Sequence, residues 1–336
     1  MPVVSQLTTT GAVIGRGLNA FSLMELVKRR VPGYEDVEYL SEVNAAYNEV
    51  WQEVMQIDEL YFSDVQTLTV TAEGDTFDFV NNIYANLGFA IPRMHQIHRV
   101  RVQLPGTNQM HAAVPTHLNS PDFVGIQRNT DRSPYSGPPF FYVPFGIGGV
   151  QFARKLPVNS KIEVFFTFGM VDLVLLDKGQ VTSSGTAVTG ADTFFTKVVS
   201  PELAAALPSQ TQPSESQIEA EIIVAGVAYH VSEITNDTLL KTASAITPGL
   251  GQAQDYILAL VPELPHYAHR TIADIATRNI LSTPGDDPRF GEWAAIAGAS
   301  LLRLKNTLQE RQRQKAPRKQ RFPYSASYTL SRYRPV

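Results

Sequence analysis

The sequence predicts an α+β protein: a helical bundle formed by N- and C-terminal helices, an inserted antiparallel β-sandwich or barrel, and an extended basic C-terminal tail. Three observations predict it. Apolar residues recur every three or four positions before residue 62 and again after residue 218. Residues 63–199 instead hold short runs rich in aromatic and β-branched side chains, separated by Gly and Pro. Beyond residue 300 basic residues accumulate.

The first helix is expected at Phe21. Ser22 with Glu25 reads as a capping box, Leu23, Leu26 and Val27 form one face, and Pro32-Gly33 stops it. A longer helix spans about Glu35 to Ile57, with Val37, Leu40, Val43, Tyr47, Val50 and Val54 inward. Glu38, Glu42, Asn48, Glu49 and Glu53 face outward. Residues 1–62 therefore form the N-terminal half of the bundle and 63–200 the inserted β-domain. Pro201 to Gln217, with further Pro, Ser and Gln, reads as a linker. Residues 218–316 return to helical patterning. Ile218, Ile222, Ala225 and Tyr229 share one face, and Val224, Val227, Val231 and Ile234 share a second. A weaker helix covers Thr271 to Ile280. Asp287-Pro288 then opens a last helix, whose stripe is Trp293, Ala297, Leu301, Leu304 and Leu308. Residues 317–336 are the tail. Each half of the bundle is too short to bury its apolar face alone, so 18–62 should pack against 215–315.

Composition excludes several classes of function. The 336 residues are 43% hydrophobic and 18% charged, enough to build cores and too little charge for global disorder. The absence of Cys excludes disulfides, thiolate metal sites and cysteine nucleophiles. The longest apolar runs, 222–229 and 294–299, fall far short of the roughly 18 residues of a membrane helix. Met1 to Thr10 shows no basic residue ahead of an apolar stretch, so the expectation is a cytoplasmically made protein without a membrane partner.

Catalytic patterns are weak throughout. His95, His98, His111 and His117 cluster in sequence, but three residues apart on a strand sends His95 and His98 to opposite faces, and no carboxylate lies nearby. Gly11, Gly15 and Gly17, like Gly146, Gly148 and Gly149, lack the Lys-Ser/Thr pair of a phosphate loop. Ser136 precedes Gly137 without a nucleophile elbow. Asp75 with Asp78 reads as turn chemistry, and Asp286 with Asp287 as a helix cap. No enzyme and no cofactor is expected.

The tail carries the functional signal. Residues 301–336 hold ten Lys or Arg against Glu310 alone, leaving a net −13 on residues 1–300. The candidate docking residues are Arg311, Arg313, Lys315, Arg318, Lys319, Arg321, Phe322, Tyr324, Tyr328 and Tyr333. Cations that anchor and aromatics that plug suit an acidic, grooved protein surface. Two alternatives stay open: nucleic acid held by the same tail, and a glycan held or hydrolysed by an aromatic β-domain face of Tyr135, Phe140, Phe141 and Tyr142.

Three stretches resemble the head-to-tail adaptor (connector) proteins of tailed bacteriophages. The opening pairs Phe21-Ser-Leu-Met-Glu-Leu-Val27 with Leu40-Ser-Glu-Val-Asn-Ala-Ala-Tyr-Asn-Glu-Val50. Ser136-Gly-Pro-Pro-Phe-Phe-Tyr-Val143, Val150-Gln-Phe-Ala-Arg-Lys-Leu-Pro-Val158 and Lys161-Ile-Glu-Val-Phe-Phe-Thr-Phe168 are similar to the strand–Pro–strand rhythm of larger adaptors. Glu221-Ile-Ile-Val-Ala-Gly-Val-Ala-Tyr-His230, with Asn236-Asp237, looks like their returning helix. The resemblance implies a virion neck protein assembled in the host cytoplasm as a ring, usually dodecameric, under the portal. It would extend the channel for double-stranded DNA without sequence-specific binding and present a platform to a tail or tail-hub protein. Its C-terminal helix and tail, here Leu301 to Val336, would dock on the portal protein.

Overall fold

A single asparagine opens the first helix. Asn19 Oδ1 accepts from the Ser22 amide at 2.8 Å, so the cap lies three residues ahead of the Ser22 expected from sequence. The computed structural model describes residues 17–58, 61–91, 93–128, 134–146, 148–198, 219–247, 249–282 and 287–314. Helix α1 (Ala20–Arg30) buries Leu23, Met24 and Val27. Helix α2 (Asp36–Ile57) closes its first turn with the Glu35 amide donating to the Glu38 carboxylate at 2.8 Å. Its buried stripe is Tyr39, Val43, Ala46, Tyr47, Val50, Trp51 and Val54. Val37, expected inward, is 76% exposed. Two residues ahead of Tyr39 is over half a helical turn, which carries Val37 to the opposite side.

The chain then enters β1 (Ser63–Thr69), β2 (Gly74–Asp78), β3 (Met94–Gln103) and β4 (His111–Pro115). A short helix α3 (Pro121–Arg128) precedes β5 (Phe140–Phe145), β6 (Gly149–Leu156) and β7 (Lys161–Phe168). These form a seven-stranded sheet in the order β1-β7-β3-β4-β5-β6-β2, antiparallel except for the β4–β5 pair. Every strand sends residues into one core: Leu68, Phe77, Val100, Ala113, Phe140, Phe152 and Val164 come from seven different strands. The alternation of Ile162, Val164 and Phe166 along β7 is the period-two signature of a strand with one buried face.

The second sheet contains β8 (Leu175–Leu176), β9 (Gln180–Ser184), β10 (Ala187–Ala191), β11 (Ala220–Val224), β12 (Val227–Asn236), β13 (Leu239–Thr242) and β14 (Tyr256–Leu260). Its order is β8-β14-β11-β12-β13-β10-β9. Helices α4 (His266–Ser282) and α5 (Phe290–Gln314) follow. This sheet shares one core with α1, α2, α4 and α5; Ile222, Leu258 and Leu240 join Val27, Val50, Ile272 and Leu304 in it.

The expected fold class is thereby corrected. The chain is not a helical bundle of N- and C-terminal helices with a β-insert. Among the described residues it is mostly β, with two seven-stranded sheets and four helices of eleven residues or more. Helix α2 packs on α4, and α1 and α5 flank them, but these helices serve as one layer of a core whose other wall is a sheet. The decisive difference is residues 220–236, read as a helix and found as the hairpin β11–β12 with Val224 opposite Val227. Ala225 and Gly226 turn the chain with φ of 51° and 79°. A two-residue turn with both φ positive ordinarily carries Asn or Asp before its Gly, and Ala hides that signal. The β-branched Ile222, Ile223, Val224, Val227 and Val231 favour the pleated surface over the helix. The third stretch of the adaptor resemblance therefore forms two strands, not a returning helix.

The two cores meet at a narrow waist. Trp51 and Phe62 stack with ring centroids 3.5 Å apart, and Phe168 packs against both cores. Arg93 lies 4.8 Å over the Phe168 ring and donates to Glu263 Oε1 and to the Gly169 carbonyl, each at 2.9 Å. The Glu263 amide donates to the Tyr47 hydroxyl at 3.1 Å, and burial raises the Tyr47 pKa. Among the described residues, no strand of the first sheet packs extensively on a strand or helix of the second unit.

Candidate docking surface

Helix α5 places the start of the basic segment. Asp287 accepts from the Arg289 amide at 2.8 Å and pairs with its guanidinium at 2.8 Å, and hydrogen bonding to Arg289 lowers the Asp287 pKa. From there Ala297, Leu304 and Leu308 hold α5 to the core, while Trp293 and Leu301 are half-buried beside it. Lys305 pairs with Glu53 at 2.7 Å, fixing the far half of α5 against the end of α2. Arg311 and Arg313 fall in the last turn of α5. Lys315, Arg318, Lys319, Arg321, Phe322, Tyr324, Tyr328 and Tyr333 lie outside the described residues.

Sequence reasoning missed a cleft of about 530 Å³ between α4 and α5, with Arg30 of α1 in its lining. Its base is a charged network. Asp274, 4% exposed, pairs with Arg30 at 2.9 Å and accepts from the Ser300 hydroxyl at 2.6 Å. The Arg30 guanidinium sits 4.6 Å over the Trp293 ring and donates to the Thr277 hydroxyl at 3.2 Å. Ile296 and Leu304 add apolar lining. Arg270 and Arg303 stand on the two helical walls, both exposed and without an ion pair among the described residues. Three guanidinium groups thus face one carboxylate, which makes the cleft cationic on an otherwise acidic body. Arg270 and Asp274 share a face of α4 by their spacing, but Arg30 and Arg303 come from distant helices, so only the fold assembles the group.

The other candidates disperse. His95 is exposed on β3, His98 contacts the Thr167 hydroxyl, His111 lies half-buried at the start of β4, and His117 is exposed beyond it. Among the described residues no three of His, Asp and Glu are grouped to hold a metal ion. Asp78 accepts from the amides of Val80 and Asn81 at 3.0 and 3.2 Å, a turn role, and Asp75 accepts from Thr76. Gly146 and Gly148, with φ of 55° and 80°, turn the β5–β6 hairpin. Tyr135, Phe140 and Tyr142 are buried in the first core, and Phe141 is half-buried beside α3 residues, so these aromatics do not form an open binding face. Among the described residues no helix is long and apolar enough to cross a membrane. No protein-family model matches the chain, and no curated protein is significantly similar to it.

Proposed function

We propose that this chain is a non-catalytic structural protein of the head-to-tail adaptor type, forming a ring under a phage portal and linking it to a tail or tail-hub protein. The observation that supports it is the segregation of charge along the chain: a body at −13 continued by α5 into a segment where a basic run, Arg311 to Arg321, is followed by Phe322, Tyr324, Tyr328 and Tyr333. Such a segment loses chain entropy on docking and gains desolvated Arg and Tyr contacts, and a ring repeats that gain in every subunit. An acidic body also suits a channel for double-stranded DNA, because a basic lining would grip phosphates and slow passage. Two of the three stretches that resemble adaptors remain in support, the opening helices and the strands around Pro138 and Pro157.

The test is capture from phage-infected lysate followed by negative-stain electron microscopy. The full chain is compared with a version ending at Gln314, which keeps Leu304 and Leu308 in the core. Rings bearing a portal-sized partner, lost in the truncated chain, are expected. Nucleic acid recovered without rings, and with binding that falls steeply as salt rises, would replace this reading with the nucleic-acid one.

A further inference from the structure

Two surface features of the described chain are complementary and do not meet within one copy. The first is the α4–α5 cleft, where Arg270 and Arg303, without an ion pair among the described residues, share the lining with Trp293 and Ile296. The second is the opening turn of α2. There Val37 is 76% exposed, more than any other large apolar side chain described. Glu35 and Glu38 flank it, both exposed and without an ion pair among the described residues, whereas Asp36 is already paired with Lys28 at 2.7 Å. An exposed aliphatic group between two carboxylates that carry no ion pair among the described residues, although both serve the helix cap, matches a cationic cleft whose lining includes Trp293 and Ile296 in sign and in chemistry.

We propose that the cleft receives the first turn of α2 from a second copy of this chain. Glu35 and Glu38 then lie against Arg270 and Arg303, and Val37 covers Ile296 and Trp293. Donor and acceptor surfaces differ, so the contact is heterologous and repeats from copy to copy, giving a ring where the rotation between copies closes. The inference rests on the ring reading above and names its self-contact. Arg30 is not asked to take part, because Asp274 already neutralises it.

Complementary half-variants test it. Arg270→Ala with Arg303→Ala disables the cleft and leaves α2 intact. Glu35→Gln with Glu38→Gln removes the two charges yet keeps an acceptor for the helix cap. Circular dichroism and melting establish that both are folded. In sedimentation of full chains, the wild type is expected to self-associate and each variant to weaken this at least tenfold. An equimolar mixture of the two restores one productive contact per pair, so it should yield dimers and nothing larger. Undiminished assembly in either variant, or a mixture that stays monomeric, overturns the inference. Rings built by both variants on a portal-sized partner also overturn it while leaving the adaptor reading in place. A wild-type chain that stays monomeric alone and with that partner would sink both.

Discussion

His269 shows how much one buried side chain is asked to do. It is fully buried, its Nε2 lies 2.9 Å from the Leu264 carbonyl, and Gly17 passes so close that an added Cβ would sit 2.1 Å from the ring. Burial lowers its pKa to about 4, against the hydrogen bond to Leu264, which favours the protonated ring. In the unfolded chain the same group binds its proton near pH 6.5. Between those values the unfolded state holds the extra proton, so stability falls as pH drops from about 6.5 to 4, by about 3 kcal/mol from this residue. Urea melts across that range should show the slope in the wild type and a shallower one in His269→Gln. Asp274 makes the complementary case. Replacing it with Ala leaves the Arg30 guanidinium, 13% exposed, without its carboxylate, and should cost about 3 kcal/mol in the same melts. Neither role was legible in the sequence: a lone His and a lone Asp in a helical stretch acquire their environments only from Gly17, Arg30 and Ser300, far away along the chain.

At the scale of elements, legibility followed how well one period excluded the other. The strands of the first sheet were readable as short aromatic and β-branched runs between Gly and Pro, β7 among them, where Ile162, Val164 and Phe166 are buried. Helix α5 was readable from Ala297, Leu304 and Leu308 and from the Asp287-Pro288 start. Hairpin β11–β12 was not, since Ile222 and Val224 satisfy a period of two while Ile222 and Tyr229 also satisfy a helical one. The turn should have decided it, and Ala225 concealed the turn. Ala225 holds φ at 51°, a conformation that costs an L-residue roughly 1–2 kcal/mol and that Asn tolerates better. Ala225→Asn is therefore expected to stabilise the protein by about 1 kcal/mol. The hairpin register gives a sharper check. Ile222 is fully buried and Val227 is 50% exposed, so Ile222→Lys should abolish cooperative folding while Val227→Lys stays within about 0.5 kcal/mol of wild type. Equal damage from both would mean that residues 220–236 are not this hairpin.

For the whole molecule, what the sequence could not convey was how the halves divide. Residues 175–191 follow directly on the first sheet in the chain, yet they pair with β13 and β14 in the second. Hydrophobic pattern tells a strand which face to bury but not which of two sheets to join. The consequence is a molecule with two cores joined at Phe168, which packs against both, with Trp51 and Phe62 of the helical core stacked beside it and Arg93 over its ring bonded to Glu263. Removing Phe168 to Cβ strips contacts from both cores at once, and Arg93 loses the ring beneath it while keeping its bonds to Glu263 and the Gly169 carbonyl. Phe168→Ala should cost about 3 kcal/mol. Its larger effect should be on cooperativity, because the free energy that couples the two units passes through this waist. Calorimetry is expected to give one transition for the wild type and two for Phe168→Ala combined with Arg93→Ala, with the calorimetric enthalpy exceeding the van't Hoff value. A single two-state transition in that double variant would mean that coupling does not depend on the waist and that the units unfold as one body for another reason.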